Sequence, residues 1–257
     1  MIQKQINKIS ERLRSSLIGS IFYQIFFRKP NEKICFVVAT RFNEFEFWTK
    51  SPLGSGFSIF LNSENIEKKI YFENSVGLPS IYNKAIFETN ADHIVFLHDD
   101  VWINDKDFIR NIYSGLRRFD VIGVAGNVRR LKNQPAWSFR SFDESKFEWD
   151  YGFLSGEVAH GSPGNSPVSK YGPTPVRCEI LDGVFIAVRR DILIKSKVKF
   201  DEIFDFHFYD MDFCRSARVK NLSLGTWPIK IIHQSSGAFG GGDWLRNYKK
   251  YIEKWGE

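Results

Sequence analysis

Cysteine is scarce in this sequence, and long apolar runs are missing from it. The three cysteines, Cys35, Cys178 and Cys214, show no CxxC spacing. This argues against a disulfide framework or a cysteine zinc site and fits a reducing cytoplasm. No apolar run reaches the roughly 18 residues that a membrane-spanning helix needs, and the first residues lack the small-residue cleavage site of a secretory signal. The sequence therefore predicts a cytoplasmic protein.

Basic residues exceed acidic ones. Lysine and arginine number 36 against 30 aspartates and glutamates, which gives a net charge of +6 and a pI near 9.1. This balance indicates anionic partners such as phosphates, acidic lipid or nucleic acid. No recognised nucleic-acid-binding motif accompanies it, so nucleic acid is not expected. At 257 residues, 43% of them hydrophobic, the chain can form one large domain or two small ones.

Residues 1–29 have the pattern of a basic amphipathic helix. Apolar residues recur there at intervals of three and four, on one helix face: Ile2, Ile6, Ile9, Leu13, Leu17 and Ile21. Basic residues lie off this face and aromatic residues follow near its end, so an anionic membrane surface, at the inner face of the cell membrane, is a candidate partner. A helix that packs on the protein or mediates a dimer is the alternative. Pro30 ends the segment, and the predicted division is 1–29, 30–239 and a C-terminal helix over 240–257.

Short apolar strands alternate with helices along the rest of the chain. Strands are predicted over 34–39, 57–61, 69–72, 92–97, 121–125, 184–188 and 227–232. Helices are predicted over 78–89, 105–119, a short stretch from 189, 210–220 and a last segment capped by Asp243. This rhythm predicts an α/β fold: one Rossmann-like domain with a mostly parallel mixed sheet flanked by helices. Because most strands end in polar residues, one edge of the sheet is expected to form a polar crevice.

Residues 137–175 interrupt this rhythm. The stretch is rich in glycine, serine, proline and aromatic residues and has little periodicity. Such a composition predicts a long loop, and loops of this length in compact domains are usually functional or disordered. Two alternatives are open: a partly mobile cover for the crevice that holds the acceptor, and a floppy insertion.

An acidic pair follows the most apolar strand. In the stretch DHIVFLHDDVWIN, residues 92–104, the run Ile94–Leu97 leads directly into His98, Asp99 and Asp100. Two adjacent carboxylates at the end of a buried strand are costly unless water, a cation or strong donors meet them. A hard divalent cation with phosphate oxygens suits such a pair. The alternative is that the pair caps the helix predicted to begin near Asp105.

Six segments, taken in order, resemble one family. They are ATRFNE (39–44), ENSVGLPSIYNKAI (73–86), FLHDDV (96–101), LDGVFIAVRRDI (181–192), FDEIFDFHFYDMDFCRSA (200–217) and HQSSG (233–237). Together they resemble the nucleotide-sugar glycosyltransferases of the family-2 type, which have the glycosyltransferase-A fold. The resemblance runs from about Ile34 to His233 and implies that 30–239 is a catalytic domain of that fold.

The resemblance implies roles for several of these residues. Asp210 stands at the position of the catalytic base. Asp100 stands at the second aspartate of the family's Asp-x-Asp metal motif, and His233 stands where a late histidine often occurs, so the two would hold Mn²⁺ or Mg²⁺, with a mild lean towards Mn²⁺. A buried histidine bonded to backbone is the alternative for His233. Two departures are visible, because His98 replaces the first aspartate and Tyr209 replaces the glutamate of a Glu-Asp pair. Whether His98 is a ligand, a phosphate contact or structural stays open.

Nucleotide-sugar recognition is expected at the tips of the first strands. The candidate donor-binding residues are Thr40, Arg41, Asn43, Asn62, Asn74 and Asp99. Asp182, before Gly183, is the candidate acceptor-binding residue, with a simple turn role as the alternative. Asp212 lies two residues beyond Asp210 and is expected to cap or brace a helix, since both cannot face the crevice.

The predicted function is therefore inverting, metal-dependent transfer of a sugar from a nucleotide-sugar donor to a glycan or lipid-linked glycan acceptor, in cell-surface polysaccharide synthesis. A catalytically decayed module that binds nucleotide sugars or glycans is an alternative that His98 and Tyr209 favour. A nucleotidyltransferase is a weaker one, because the turn ATRFNEFEF (39–47) lacks the glycines that grip a triphosphate.

Overall fold

The computed structural model describes residues 32–57, 64–143, 146–235 and 237–256. By its internal contacts the chain divides into Met1–Glu32 and Lys33–Glu257, and the elements below belong to the second unit. The helix predicted over 1–29 and the candidate residue Asn62 lie outside the described residues. In the described ranges, no helix has the length and apolar character needed to cross a membrane.

Helices and strands alternate through the described residues. The helices are α1 (Glu44–Lys50), α2 (Pro52–Phe57), α3 (Leu78–Glu88), α4 (Phe108–Leu116), α5 (Arg190–Ser196), α6 (Tyr209–Val219) and α7 (Gly242–Trp255). The strands of the first half are β1 (Ile34–Ala39), β2 (Ile66–Tyr71), β3 (His93–Leu97), β4 (Val101–Ile103), β5 (Val121–Gly123), β6 (Ala125–Asn127), β7 (Phe139–Asp143) and β8 (Lys146–Trp149). Those of the second half are β9 (Leu154–His160), β10 (Val168–Gly172), β11 (Arg177–Cys178), β12 (Ile180–Leu181), β13 (Phe185–Arg189), β14 (Leu224–Thr226) and β15 (Ile231–His233).

The main sheet has the order β11-β14-β5-β13-β3-β1-β2. Strands β1 and β3 pair in parallel and β13 runs against both β3 and β5, so five of its seven described strands share one direction. The central strands β1, β3 and β13 are almost entirely buried, as their unbroken apolar sequences require. The predicted mixed, mostly parallel α/β sheet is confirmed.

A second sheet, in the order β12-β6-β9-β15-β4, carries β10 on β9. Strands β7 and β8 form a separate hairpin. Together these strands account for most of residues 137–175, so the prediction of a long loop there was wrong. This stretch is held by aromatic ring contacts and by strand pairing, and not by one buried apolar face. Its sequence therefore shows only a weak alternation of apolar and polar residues.

Three local predictions were also wrong. For the strand predicted over 57–61, only Phe57 is among the described residues: it ends helix α2 and packs edge-on against Phe36, because a short apolar run does not distinguish a strand from a buried helix end. The strand predicted from 227 begins at Ile231, since Pro228 has no amide to donate to a ladder. Gly241 precedes the first residue of α7, and Asp243 lies in its first turn without capping it.

Candidate active site

Four segments meet where β3 leaves the main sheet. The pairing of Phe185 with Leu97 places the turn before β13, Asp182–Gly183, beside His98. The pairing of His233 with Val101 places the end of β15 beside Asp100. Two backbone bonds lock this arrangement, because the amide of His98 donates to the carbonyl of Val184 and the amide of Gln234 donates to that of Asp100. The β3 end, the β13 turn, the β15 end and the start of α6 therefore form one cluster.

His98, Asp100 and His233 form a compact set of donor atoms. One ligand atom from each can be chosen so that all three lie within 4.8 Å of one another. Nε2 of His233 lies 3.2 Å from Oδ2 of Asp100, and Nδ1 of His98 lies 4.0 Å from Oδ1. Oδ1 of Asp100 is buried and has no hydrogen-bond partner in the part of the chain that the structure describes. A carboxylate that lies between two imidazoles and has one unsatisfied buried oxygen fits a divalent cation.

The charges in this set are strongly perturbed. Burial lowers the pKa of His98 to about 4, which keeps its imidazole neutral at physiological pH. Burial acts to raise the pKa of Asp100, but the bond from His233 and the charges of both histidines outweigh it and bring the value to about 2. The bond to Asp100 and the charge of Asp100 raise the pKa of His233 against the effect of burial. Neutral imidazole and ionised carboxylate are the forms that bind metal ions, so the shifts of His98 and Asp100 favour a cation, whereas a cation would have to displace the proton that Asp100 favours on His233.

Asp210 lies at the start of α6, on the other side of Gly183. Its Oδ2 accepts from the amide of Gly183 at 3.0 Å, and its Oδ1 accepts from its neighbour Met211 at 2.8 Å. Burial, followed by the charge of Asp182, raises the pKa of Asp210 to about 7. A carboxylate poised near neutrality is suited to general base catalysis.

Gly183 is required by the close approach of α6. A Cβ at this position would collide with the ring hydroxyl of Tyr209 and meet Cβ of Asp210. A glycine here therefore lets the β13 turn contact both residues that begin the helix. Asp182 beside it has a pKa raised by burial, and it interacts with the charges of Asp100, His233 and Asp210. Its Oδ1 accepts from the amide of Val184, which is the contact that the alternative turn role predicts.

The candidate donor-binding residues are distributed around β1. Thr40 donates to Oδ2 of Asp99 at 2.6 Å, which brings the end of β1 to the acidic pair. Burial raises the pKa of Asp99, and the charge of Arg41 opposes this shift. Asn43 caps α1 by accepting from the amide of Glu46. The side-chain amide of Asn74 donates to the carbonyl of Val76, and the backbone amide of Asn74 donates to the carbonyl of Thr40.

Two residues near the site have structural partners. Oδ1 of Asp212 accepts from Lys254 at 2.6 Å and from the indole of Trp255 at 2.9 Å, so Asp212 ties α6 to α7. Asn83 bonds the amide and the carbonyl of Phe200 and thereby holds α3 against the segment that precedes α6. The expectation that Asp212 braces the fold agrees with these contacts.

The sequence analysis did not single out His160, Tyr171 or Ser235. His160 lies beside His233 in the β9–β15 register, with ring centroids 6.0 Å apart, and its Nε2 lies 3.1 Å from the hydroxyl of Tyr171. Ser235 Oγ lies 3.0 Å from Nε2 of His233. A histidine directly before Gly161 in an otherwise unperiodic stretch was the available signal, and the expectation of a loop concealed it.

Comparisons with known proteins fit this geometry. A family model described as "Glycosyltransferase like family" matches residues 64–229, more than half of the chain. No curated protein matches the sequence. The crystal structure of GalNAc-T7 with UDP, GalNAc and Mn²⁺ superimposes with a TM-score of 0.50 at 10% identity, over 86% of this chain and 48% of that chain.

Two further structures match less well. One is the catalytic domain of Drosophila β1,4-galactosyltransferase 7 in complex with xylobiose, with a TM-score of 0.41 at 13% identity, over 76% of this chain and 64% of that chain. The other is S. aureus TarS 1–349, with a TM-score of 0.42 at 13% identity, over 79% of this chain and 60% of that chain. The chain thus spans between about half and two thirds of these proteins.

The matched region includes His98–Asp100, Asp182 and Asp210, and the main sheet is of the predicted type. The expectation of a glycosyltransferase-A fold is confirmed. Because the family model covers more than half of its residues, the chain belongs to the glycosyltransferase-like family.

Proposed function

We propose that the protein is an inverting, metal-dependent glycosyltransferase that moves a sugar from a nucleotide-sugar donor to a glycan or lipid-linked glycan acceptor. One observation carries the proposal. Oδ1 of Asp100 is buried without a partner among the described residues and lies 4.0 Å from His98, Oδ2 lies 3.2 Å from His233, and Asp182 interacts electrostatically with both Asp100 and Asp210. The proposed cation site would therefore lie near a carboxylate with a pKa of about 7.

Asp100 and His233, with His98 as a third donor, would hold the metal ion. When bound, a divalent cation supplies electrostatic stabilisation to the leaving nucleoside diphosphate. Two imidazoles and one carboxylate favour Mn²⁺ over Mg²⁺, because Mg²⁺ prefers a shell of oxygen atoms. The Mn²⁺ in the GalNAc-T7 crystals supports the same choice.

Asp210 would take the proton from the attacking acceptor hydroxyl. Its two oxygens are oriented by the amides of Gly183 and Met211, which limits rotation of the carboxylate. The adjacent Asp182 would accept from other acceptor hydroxyls. A carboxylate within hydrogen-bond reach of the nucleophile is the requirement for single displacement with inversion.

Nucleotide recognition would fall to the end of β1 and the acidic pair. Thr40 and Asp99 already contact each other there, and Arg41 places a positive charge within reach of Asp99. Asp99 is in position to accept from ribose hydroxyls, whereas Arg41 suits a diphosphate. Asn43 and Asn74 extend the same proposed surface, and Asn62, which lies outside the described residues, remains a candidate from the sequence.

The glycan acceptor would lie along aromatic residues of strand β10 and of the end of the β7–β8 hairpin. Tyr171, whose hydroxyl bonds His160 beside the metal cluster, stacks with Trp149 at 6.3 Å, and Trp149 stacks with Tyr151 at 5.6 Å. Tyr151 is 73% exposed. Flat aromatic rings that lead away from a catalytic centre suit the apolar faces of sugar rings. A lipid-linked acceptor would agree with the basic pattern of residues 1–29, and with placement of the protein on the inner face of the cell membrane.

The test is donor turnover. We expect hydrolysis or transfer from at least one nucleotide sugar, among a panel of uridine, guanosine and cytidine diphosphate sugars, to depend on added Mn²⁺. The same panel with Asp210→Asn should show donor binding without turnover. Binding of a nucleotide sugar to wild-type protein with no turnover on any acceptor or on water would instead support a decayed binding module.

A further inference from the structure

The two residues that depart from the family pattern contact each other. Nε2 of His98 lies 2.9 Å from the hydroxyl of Tyr209. We propose that Tyr209 is a positioning residue, which fixes the tautomer of His98 so that Nδ1 of this imidazole becomes the third ligand of the metal site. This inference rests on the proposed metal dependence, and it assigns a purpose to both departures at once.

The tautomer follows from where the phenolic hydrogen goes. The hydroxyl of Tyr209 also lies 3.0 Å from the carbonyl oxygen of Gly183, and a carbonyl can only accept. The single hydrogen of the hydroxyl is therefore engaged by Gly183, since otherwise two oxygens would face each other at bonding distance with no hydrogen between them. The side chain of Tyr82 also bonds Tyr209, and its own hydroxyl hydrogen can serve that contact. The hydroxyl oxygen of Tyr209 is left to accept, and the donor is the N–H at Nε2 of His98. The neutral imidazole then carries no hydrogen on Nδ1.

The bare nitrogen points at the candidate metal position. Nδ1 of His98 lies 4.0 Å from Oδ1 of Asp100, too far for a hydrogen bond, and that oxygen has no other partner. Two acceptors thus face each other across a gap with no donor between them. A divalent cation between them would satisfy both, whereas an N–H at Nδ1 would obstruct it.

The substitution pair also changes the charge of the site. His98 puts an imidazole where the family pattern has an aspartate, which lowers the negative charge of the ligand set by one. Tyr209 puts a neutral hydroxyl where the pattern has a glutamate, and this hydroxyl lies at hydrogen-bond distance from the ring of His98. A ligand histidine whose other nitrogen is held by an outer partner is the common arrangement in metal sites, and loss of that partner typically costs about 10- to 100-fold in metal affinity. The hydroxyl of Tyr209 would be such a partner.

Calorimetric titration of metal-free protein with Mn²⁺ tests the proposal without any assay of turnover. Tyr209→Phe keeps the ring and removes the hydroxyl, and we expect its affinity for Mn²⁺ to fall by about 10- to 100-fold. Tyr171→Phe is the matched control, because its hydroxyl bonds His160 outside the ligand set, and its affinity should stay within about twofold of wild type. His98→Ala should weaken binding at least as much as Tyr209→Phe, and the double variant should lose little more than His98→Ala alone.

A second readout needs no variant. Long-range ¹H–¹⁵N spectra of the wild-type, metal-free protein should show His98 as the Nε2–H tautomer, and addition of diamagnetic Zn²⁺ should shift its Nδ1 resonance. A resonance pattern of the Nδ1–H tautomer would overturn the role of Tyr209. Wild-type affinity for Mn²⁺ in Tyr209→Phe, or additive losses in the double variant, would overturn it too. If the wild-type protein did not bind Mn²⁺, the proposed metal site would be contradicted. If the wild-type protein turned over a donor and Tyr209→Phe showed a lower affinity for Mn²⁺, the proposed function would stand.

Discussion

Asp100 and Asp150 are two carboxylates with opposite surroundings. Asp150, which is 1% exposed, accepts hydrogen bonds from Arg129 through both of its oxygens and from the side-chain amide of Asn127 at 2.9 Å. The side chain of Asp100 is 27% exposed; one of its oxygens lies 3.2 Å from His233, and the other is buried with no partner among the described residues. One carboxylate is satisfied by the protein, and the other is left incomplete.

This difference separates structural from functional burial. A buried polar atom without a partner costs about 1–3 kcal/mol, so its persistence calls for a compensating ligand. The bonds to Asp150 tie the end of β8 to the segment after β6, and nothing more is needed there. At Asp100 a cation would supply the missing partner. The comparison predicts that removing the charge of Asp100 abolishes activity, whereas removing that of Asp150 affects stability alone.

The largest expected effect is the contrast between Asp100→Asn and Asp150→Asn. Asp100→Asn should lower kcat/KM by about 10³-fold, because loss of the metal removes several kcal/mol of transition-state stabilisation. Its free energy of unfolding without metal should also fall, by about 1–2 kcal/mol, because the variant loses the ionised carboxylate that His233 stabilises. Initial rates with saturating Mn²⁺ and urea unfolding measure the two quantities.

Asp150→Asn is the matched control for that contrast. It should lower the free energy of unfolding by about 2 kcal/mol, a value below that of a fully buried pair because the side chain of Arg129 is 34% exposed. Activity per folded molecule should remain close to wild type. If Asp100→Asn destabilised the protein as much as Asp150→Asn while retaining activity, both carboxylates would be structural.

Asp210→Asn should give the next largest effect. Removal of a general base typically costs about 10²- to 10⁴-fold in kcat, and Mn²⁺ affinity should be unchanged because Asp210 lies outside the ligand set. Single-turnover transfer and Mn²⁺ titration on the same preparation separate the two effects. A variant with wild-type kcat would exclude Asp210 as the base.

The same comparison shows how much the sequence could predict. The buried strands β1, β3 and β13 followed from unbroken apolar runs, and the resemblance named Asp100, His233 and Asp210 before their positions were known. These features are encoded within short stretches or in the order of motifs. The partners of each carboxylate are not, because Asp150 and Arg129 lie 21 positions apart and their pairing depends on the hairpin β7–β8.

The contact between His98 and Tyr209 could not be predicted for the same reason. The two residues are separated by 111 positions, and only the register of β13 on β3 and the glycine at 183 bring them together. Sequence reasoning identified each as a departure and treated them as separate doubts. Their hydrogen bond turns two departures into one arrangement.

Metal binding should stabilise the folded protein by a smaller amount. At a Mn²⁺ concentration of about 100 times Kd, mass action adds about 2.7 kcal/mol to the free energy of unfolding. Thermal unfolding with and without Mn²⁺ should therefore show a clear rise in Tm for wild type and for Asp150→Asn, and none for Asp100→Asn. An equal rise in all three proteins would locate the ion elsewhere.

The smallest expected effect is the pH dependence that Asp210 confers. Its pKa of about 7 means that the protonated, inactive form dominates below neutrality, so kcat/KM should fall about tenfold for each pH unit below 7 and reach a plateau above it.

The free energy of unfolding should change with pH in the opposite direction and fall as the pH rises. A carboxyl whose pKa is raised on folding contributes stability that is complete below its unfolded value of about 3.9 and is lost as the pH rises through about 7. Between pH 5 and pH 8 the free energy of unfolding of wild type should therefore fall relative to that of Asp210→Asn, by at most about 1–3 kcal/mol. The Tm of wild type should fall with it. A flat difference in Tm together with a flat rate profile would show that Asp210, like Asp150, is satisfied by the protein and has no proton to exchange with a substrate.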